Sequence, residues 1–199
     1  MITSKKILTT VSYLIFFFSI IGKVHSIEPN VFVQSTVNRA AKTLSGSFTK
    51  EQRIQKLKEI ANDTVDIIGL GNYTLGAYRK NITDEQSKQY RILFKQYFLK
   101  SFASRLAEYS NPEIEVVSKR KKNENYTMVS SILVATEKRP EVKIDWVIYT
   151  KNPENPKIRD LIIEGLSLAR TQKEEFSSII QNNDGNINAL FANLKEFIK

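Results

Sequence analysis

The stretch EVKIDWVIYT, residues 141–150, alternates apolar and mostly polar side chains with a period of two. In an extended chain Val142, Ile144, Trp146 and Ile148 face one way, and the residues between them face the other way. This pattern predicts a strand with one buried face. The sequence around it decides the rest of the fold, because strand-like stretches adjoin it and helical periodicity lies beyond them.

Three more extended stretches flank this strand, and short polar segments separate them. The stretches are residues 113–119, 126–136 and 157–168, and the polar segments include turns predicted at 119–125 and 152–156. Consecutive strands joined by short turns are typical of an antiparallel meander. We therefore predict a curved antiparallel sheet of about four strands.

Apolar side chains at helical spacing precede and follow these strands. Three helices are predicted to begin at a capping box, in which Ser or Thr is followed three residues later by Glu or Gln. The pairs are Thr49 with Gln52, Thr83 with Gln86, and Thr171 with Glu174. Residues 65–78 contain three glycines and predict helical turns with breaks. Helices packed against an antiparallel sheet predict an α+β fold.

The longest predicted helix follows Thr83 and carries an unusually aromatic stripe. Six of its eight apolar positions are Phe or Tyr: Tyr90, Leu93, Phe94, Tyr97, Phe98, Phe102, Leu106 and Tyr109. Such a stripe either fills a core against the sheet or lines a cavity beside it. The pattern alone does not separate these two alternatives.

The pattern of residues 1–26 predicts a secretory signal peptide. Lys5 and Lys6 precede an apolar run at 7–21, and small residues suit cleavage after Ser26. The alternative is a retained membrane anchor, but fifteen helical residues span only ~22 Å against a hydrocarbon core of ~30 Å. We expect residues 1–26 to be the signal peptide and residues 27–199 to form a single domain.

The expected mature chain contains neither cysteine nor histidine, because the 199-residue sequence has no Cys and its one His is His25. Without them there is no Ser-His or Cys-His dyad, and transition metals lose their usual ligands. Cleavage of the leader also removes three of the 30 basic residues. The mature chain then has 27 basic and 21 acidic residues, and its net charge is +6. We expect no enzyme activity, metal site or cofactor.

Two groups of charged residues are further candidates for a functional site. Asp160 and Glu164 lie ~13 Å apart along a strand, beyond the ~5–9.5 Å of glycosidase carboxylate pairs, although Asp145 remains available for a cross-strand pair. The basic run Lys119–Lys122 is typical either of a partner or membrane contact or of a solvated edge protected from strand pairing. A secreted protein is not expected to bind nucleic acid.

Four motifs resemble the MlaC family, also called the toluene-tolerance family. They are NYTLGAYR at residues 72–79, TDEQ at 83–86, LFKQYF at 93–98 and DLIIEGLSLARTQKEEFS at 160–177, together with the single Trp146 before the last motif. The resemblance extends over residues 33–199. It implies a cystatin- or NTF2-like α+β fold whose sheet and helices enclose a deep apolar pocket.

The resemblance also implies a function. Members are periplasmic phospholipid carriers of Gram-negative bacteria, which exchange lipid with an outer-membrane lipoprotein complex and with an inner-membrane ABC transporter bearing an MCE-domain protein. Together these maintain the lipid asymmetry of the outer membrane. Three alternatives stay open: a carrier of hopanoids or other lipids, a lipid-free periplasmic adaptor that holds a peptide, and an enzyme on an NTF2-like scaffold.

The hypothesis assigns acyl-chain contacts to one set of residues on the helices and another on the sheet. The helical set is Tyr73, Leu75, Tyr78, Leu93, Phe94, Tyr97, Phe98 and Phe102. The sheet set is Val129, Ile144, Trp146, Ile148, Ile163 and Leu166. An error of one residue in register would move every sheet assignment to the opposite face.

Overall fold

The computed structural model describes residues 26–109, 112–137 and 139–199. Six helices are found there: α1 Pro29–Ser45, α2 Lys50–Thr64, α3 Ile67–Thr74, α4 Asp84–Leu106, α5 Leu168–Gln181 and α6 Ile187–Ile198. The five strands are β1 Ile114–Asn123, β2 Tyr126–Leu133, β3 Val142–Tyr149, β4 Lys157–Ile163 and β5 Leu166–Ser167. The predicted leader lies outside the described residues except for Ser26, so its cleavage stays a prediction.

Two of the predicted capping boxes are confirmed. The Thr49 side chain accepts a hydrogen bond from the Gln52 backbone at the start of α2, and Thr83 does the same with Gln86 at the start of α4. In both boxes the Gln side chain accepts a hydrogen bond from the backbone of the Thr. These reciprocal bonds satisfy donors that a helix start otherwise leaves open. Among the described helices, none is long and apolar enough to cross a membrane.

The third capping box was predicted in the wrong place. Helix α5 begins at Leu168, where the Ser167 side chain accepts from the Arg170 backbone, so Thr171 lies inside the helix. The cause is a contact with the preceding strand: Asp160 on β4 accepts hydrogen bonds from the Ser167 hydroxyl and the Ala169 amide. A carboxylate at this helix start is also favoured by the helix dipole.

The sheet is antiparallel throughout, in the order β1-β2-β3-β4-β5. Residues 157–168 were predicted to form one strand, but β4 ends at Ile163 and the chain turns at Glu164 and Gly165, both with positive φ. The two residues of β5 then pair back onto β4. The α+β prediction is confirmed, with a fifth short strand added.

The basic run lies in a strand rather than in the predicted turn at 119–125. Strand β1 continues to Asn123, and the turn is confined to residues 124–125. Because β1 is at the edge of the sheet, its lysines stay in solvent while its backbone pairs with β2. Lys119 also forms an ion pair with Glu28. This arrangement fits the protective role of cations on an edge strand.

One face of the sheet packs against the helices and forms the core. Ile144, Trp146 and Ile148 are buried on β3, whereas the residues between them are only partly buried. Trp146 pairs with Val129 on one side and with Leu161 on the other. The predicted alternation is therefore confirmed. The Trp146 indole nitrogen donates to the Ser131 hydroxyl at 2.8 Å, which satisfies its one polar group inside the core.

Helix α3 and the short 3₁₀ helix Gly76–Lys80 confirm the predicted helical turns with breaks. The break falls at Gly76, whose φ of +59° suits glycine. Gly71 has a different role, because a Cβ there would lie 2.8 Å from the Phe94 ring. Glycine at residue 71 thus allows α3 to approach α4 closely.

Candidate functional site

A cavity of about 600 Å³ lies between α4, α5, α6, β4 and the α2–α3 region. Its apolar wall is formed by Val65, Leu70, Phe94, Phe98, Phe102, Ile158, Leu161, Leu168, Ala169 and Phe197. Its polar side chains are Thr74, Tyr97, Ser101, Arg105, Arg159, Asp160, Thr171, Gln172, Glu175, Asn193 and Glu196. We refer to this space as the main cavity. Its volume is in the usual range for small-molecule sites, roughly 300–1,000 Å³.

Helix α4 supplies an aromatic wall. Phe94, Phe98 and Phe102 recur every four residues, so the helical period places them on one face. The rings of Phe94 and Phe98 stack with centroids 6.2 Å apart, and those of Phe98 and Phe102 with centroids 5.5 Å apart. All three rings line the main cavity. This face of α4 therefore offers a continuous apolar surface to a ligand.

A polar cluster borders the cavity between α4 and α5. The Tyr97 hydroxyl donates to Gln172 Oε1 at 2.8 Å, and Gln172 Nε2 donates to Glu175 Oε2 at 2.9 Å. Burial raises the pKa of Tyr97, and the negative charge of Glu175 raises it further. Arg105 and Ser101 act on the pKa of Tyr97 in the opposite direction. These groups thus surround the same hydroxyl, and Arg105 and Glu175 are exposed to solvent.

The two charged residues of β4 that line the cavity, Arg159 and Asp160, are compensated within the wall. Arg159 pairs with Asp66 at 2.6 Å, and Asp66 also caps α3 by accepting from the Gly69 amide. Asp160 accepts from Ser167 and Ala169 at the start of α5. These contacts fix two helix starts against the strand, so both side chains position the wall of the cavity.

A second, smaller cavity of about 140 Å³ lies between α1, α2 and the buried face of the sheet. Its lining is almost entirely apolar and includes Leu57, Trp146 and Ile163. The two cavities share four lining side chains: Val65, Phe102, Ile158 and Leu161. The smaller cavity therefore adjoins the main cavity across these side chains.

The structure distributes the fourteen proposed contact residues among five environments. Phe94, Tyr97, Phe98 and Phe102 line the main cavity, and Ile144, Trp146 and Ile163 line the second cavity, which Phe102 also lines. Leu75, Leu93, Val129 and Ile148 are buried in the core and line neither cavity. Tyr78 is half-buried against the core, and Tyr73 and Leu166 are exposed.

The exposed positions have local causes. Tyr73 lies on the outward side of α3, where the Lys173 ammonium lies 5.5 Å from the centre of its ring. Leu166 belongs to β5, directly after the tight turn, and is 60% exposed. Neither side chain contributes to either cavity in this conformation. That Tyr73 and Leu166 contact lipid stays a prediction, which the lining of the two cavities does not support.

Part of the main cavity was missed at the level of sequence. Leu168, Gln172 and Glu175 on α5 and Phe197 on α6 all line it. The motif at 160–177 contains three of these residues, and the spacing of Leu168, Gln172 and Glu175 places them on one helical face. That spacing was the available signal.

The three acids considered for catalysis are separately engaged. Asp145 accepts from the Ser130 hydroxyl at 2.5 Å, Asp160 holds the start of α5, and Glu164 accepts from the Lys143 backbone. Of these, only Asp160 lines the main cavity. Across the described residues, no group of three or more His, Cys, Asp or Glu side chains is arranged to hold a metal ion.

A sequence model of the MlaC protein family matches residues 33–196. The chain belongs to the MlaC family. This confirms the resemblance carried by the four motifs, three of which include residues that line the main cavity or the core beside it. Among curated proteins no match was found.

A solved structure is similar to the chain over most of its length. It is that of a phospholipid-binding protein from Ralstonia solanacearum in complex with a phospholipid. The TM-score is 0.73, the match covers 86% of this chain and 97% of that chain, and the sequences are 21% identical. At this identity the likeness concerns the fold, and it agrees with the predicted α+β architecture.

Proposed function

We propose that this MlaC family member is a phospholipid carrier rather than an enzyme. The observation that carries the proposal is the amphiphilic character of the main cavity, which has an aromatic wall on α4 and a polar cluster beside it. Family membership and the phospholipid-bound relative of similar fold support the same ligand class. The acyl chains occupy the apolar wall, and the headgroup lies among the polar side chains.

The energetics favour a cavity of this kind. Each CH₂ group removed from water contributes ~0.8 kcal/mol, so a diacyl lipid does not leave a bilayer at a useful rate unaided. A carrier exchanges one apolar environment for another, which makes the free-energy difference between bilayer and cavity small. Broad contact with Phe98 and its neighbours suits this exchange, whereas the acids Asp145, Asp160 and Glu164 are engaged in structural hydrogen bonds.

At the cellular level, we propose that the carrier works in the periplasm after cleavage near Ser26. It shuttles phospholipid between an outer-membrane lipoprotein complex and an inner-membrane ABC transporter with an MCE-domain subunit. The shuttle maintains the lipid asymmetry of the outer membrane. Deleting the gene is expected to increase the phospholipid that an externally added phospholipase can reach, and unchanged access would contradict this role.

Lipid transfer between vesicles tests the carrier function itself. Donor vesicles contain a labelled phospholipid, acceptor vesicles contain none, and the protein is added at catalytic amounts. We expect transfer to accelerate in proportion to protein concentration. A rate equal to that without protein would contradict the proposal. If the protein transfers a labelled polycyclic lipid from such vesicles but no phospholipid, the cargo is the polycyclic lipid instead.

A further inference from the structure

The border of the main cavity carries opposite charges on neighbouring helices. Five charged residues line this cavity: Arg105, Arg159, Asp160, Glu175 and Glu196. The two on β4 are compensated, since Arg159 pairs with Asp66 and Asp160 accepts hydrogen bonds at the start of α5. The charges available to a ligand are therefore those of Arg105 on α4, Glu175 on α5 and Glu196 on α6.

Each of these three groups has a defined setting. Within the described part of the chain, Arg105 makes neither an ion pair nor a side-chain hydrogen bond. Glu175 accepts one hydrogen bond from Gln172, which leaves carboxylate lone pairs open. Glu196 pairs with Lys199 at 2.7 Å, but both side chains are 75% exposed, so this pair is weak.

Lys100 on α4, another cation close to the cavity wall, already has partners. Lys100 donates to the Ile198 carbonyl at 3.1 Å and lies over the Phe197 ring. Of the two guanidinium groups that line the cavity, that of Arg105 has no side-chain partner among the described residues. Guanidinium groups suit phosphate oxygens. The carboxylates of Glu175 and Glu196 suit an ammonium group.

We propose that the border of the main cavity selects phospholipids whose headgroup carries an ammonium group in addition to its phosphate. Arg105 binds the phosphate, and Glu175, with Glu196, binds the ammonium. Phospholipids without an ammonium group, such as phosphatidylglycerol, present no cation to these carboxylates and are repelled by them. This inference rests on the proposed carrier function and adds the class of headgroup to it.

The test is a competition at equilibrium. The mature protein, residues 27–199, is incubated with vesicles made of equal amounts of phosphatidylethanolamine and phosphatidylglycerol with the same acyl chains. It is then re-isolated, and its bound lipids are quantified by mass spectrometry. Because both lipids are in the same vesicle, attraction of the basic protein to the vesicle surface affects both equally. We expect phosphatidylethanolamine to be bound in about threefold excess.

Single substitutions separate the roles of the two charges. Glu175→Gln is expected to bring the ratio of bound phosphatidylethanolamine to bound phosphatidylglycerol close to one. Arg105→Gln should raise this ratio, because the carboxylates then repel phosphatidylglycerol without an opposing cation. A merely structural role would change the total lipid bound and would not move the ratio in opposite directions. Glu174→Gln and Arg91→Gln are the matched controls, since both residues are exposed on the same helices and line no part of the main cavity.

Salt provides an independent readout. The preference of the wild type should weaken between about 0.1 M and about 1 M salt, over which the Debye length falls from ~10 Å to ~3 Å. Glu196→Gln, on a different helix, is the second variant and should shift the ratio in the same direction as Glu175→Gln. An insoluble Glu175 variant would therefore leave the test intact.

The outcomes distinguish the inference from the function beneath it. Equal binding of the two lipids by the wild type, or a ratio that neither glutamate variant alters, would overturn the headgroup inference and leave the carrier function standing. Protein that acquires no lipid from these vesicles or from others would overturn the carrier function itself.

Discussion

At the scale of single residues, Phe98 is the side chain on which lipid binding is expected to depend most directly. It stacks between Phe94 and Phe102 along the wall of the main cavity. Phe98→Asp places a carboxylate among these rings, where an ionised group is strongly disfavoured. We expect the lipid that co-purifies with the protein to fall by about tenfold while the helix content is unchanged.

The matched control for this change is Ile92→Asp. Ile92 is on the same helix, is 61% exposed and lines neither cavity. Lipid extraction and circular dichroism of both variants provide the comparison. Wild-type lipid content in a folded Phe98 variant would remove Phe98 from the binding surface.

A buried hydroxyl pair gives a second prediction at this scale. Tyr90 is 2% exposed, and its hydroxyl lies 2.9 Å from that of Thr74, which in turn donates to the Gly71 carbonyl. Tyr90 is therefore the donor to Thr74. Burial raises the pKa of Tyr90 well above its ordinary value of 10.0. The folded protein keeps this proton at a pH where the unfolded chain loses it.

The sign of the pH dependence follows from that difference. Stability contributed by neutral Tyr90 is complete below pH 10 and is lost as the pH rises above it, at about 1.4 kcal/mol per pH unit. Tyr90→Phe should cost about 1 kcal/mol at neutral pH and should remove this part of the slope. Urea unfolding of both proteins between pH 7 and pH 11 measures the difference. Parallel curves for the two proteins would contradict it.

Helical period accounts for the residues that could be assigned from sequence. Phe94, Phe98 and Phe102 share a face at any orientation of α4, so it could be predicted that they lie together, whether in a core or in a cavity wall. Tyr73 could not be assigned in this way, because its exposure depends on how the short helix α3 is rotated against α5. The exposure of Leu166 depends on the turn at Glu164 and Gly165, which no periodic pattern predicts.

At the scale of elements, the contact of α3 with α4 rests on a single glycine. A methyl group at residue 71 would lie 2.8 Å from the Phe94 ring, which is buried and lines the main cavity. Gly71→Ala must therefore displace either the ring or the helix. We expect a loss of about 1–3 kcal/mol in the free energy of unfolding, together with weaker lipid binding.

Chemical denaturation measures this loss, and Asn72→Ala is the control at the next position of α3. Asn72 is half-buried and has a side chain already, so its shortening creates no clash. A Gly71→Ala variant as stable as the wild type would show that α3 and α4 can separate freely. Lipid binding by that variant would then be expected to remain normal.

Strands and helices were predictable where a repeat of two or of 3.6 ran for several residues, as in β3 and α4. The errors lie where a contact between two elements determines the local structure. The start of α5 was misplaced because Asp160, seven residues before Ser167, holds the helix start. The basic residues of β1 were assigned to a turn because a run of charged side chains lacks the apolar alternation of a strand. Their backbone nevertheless pairs with β2.

At the scale of the whole molecule, the main cavity arises from the assembly of elements far apart in the chain. Val65, Phe98, Leu161 and Phe197 come from four separate regions and meet around one space. No local pattern shows that these regions meet, so periodicity alone did not separate a filled core from a lined cavity. The structure decides between them, since a cavity of about 600 Å³ remains beside a well-packed core.

The most direct test of the central claim is native mass spectrometry of the purified protein, followed by solvent extraction and lipid analysis. We predict an added mass that corresponds to one diacyl phospholipid per chain, with the same lipid recovered in the extract. Protein that is empty when purified, and that acquires no lipid from vesicles, would contradict the account. The apolar cavity would then be the groove of a lipid-free adaptor.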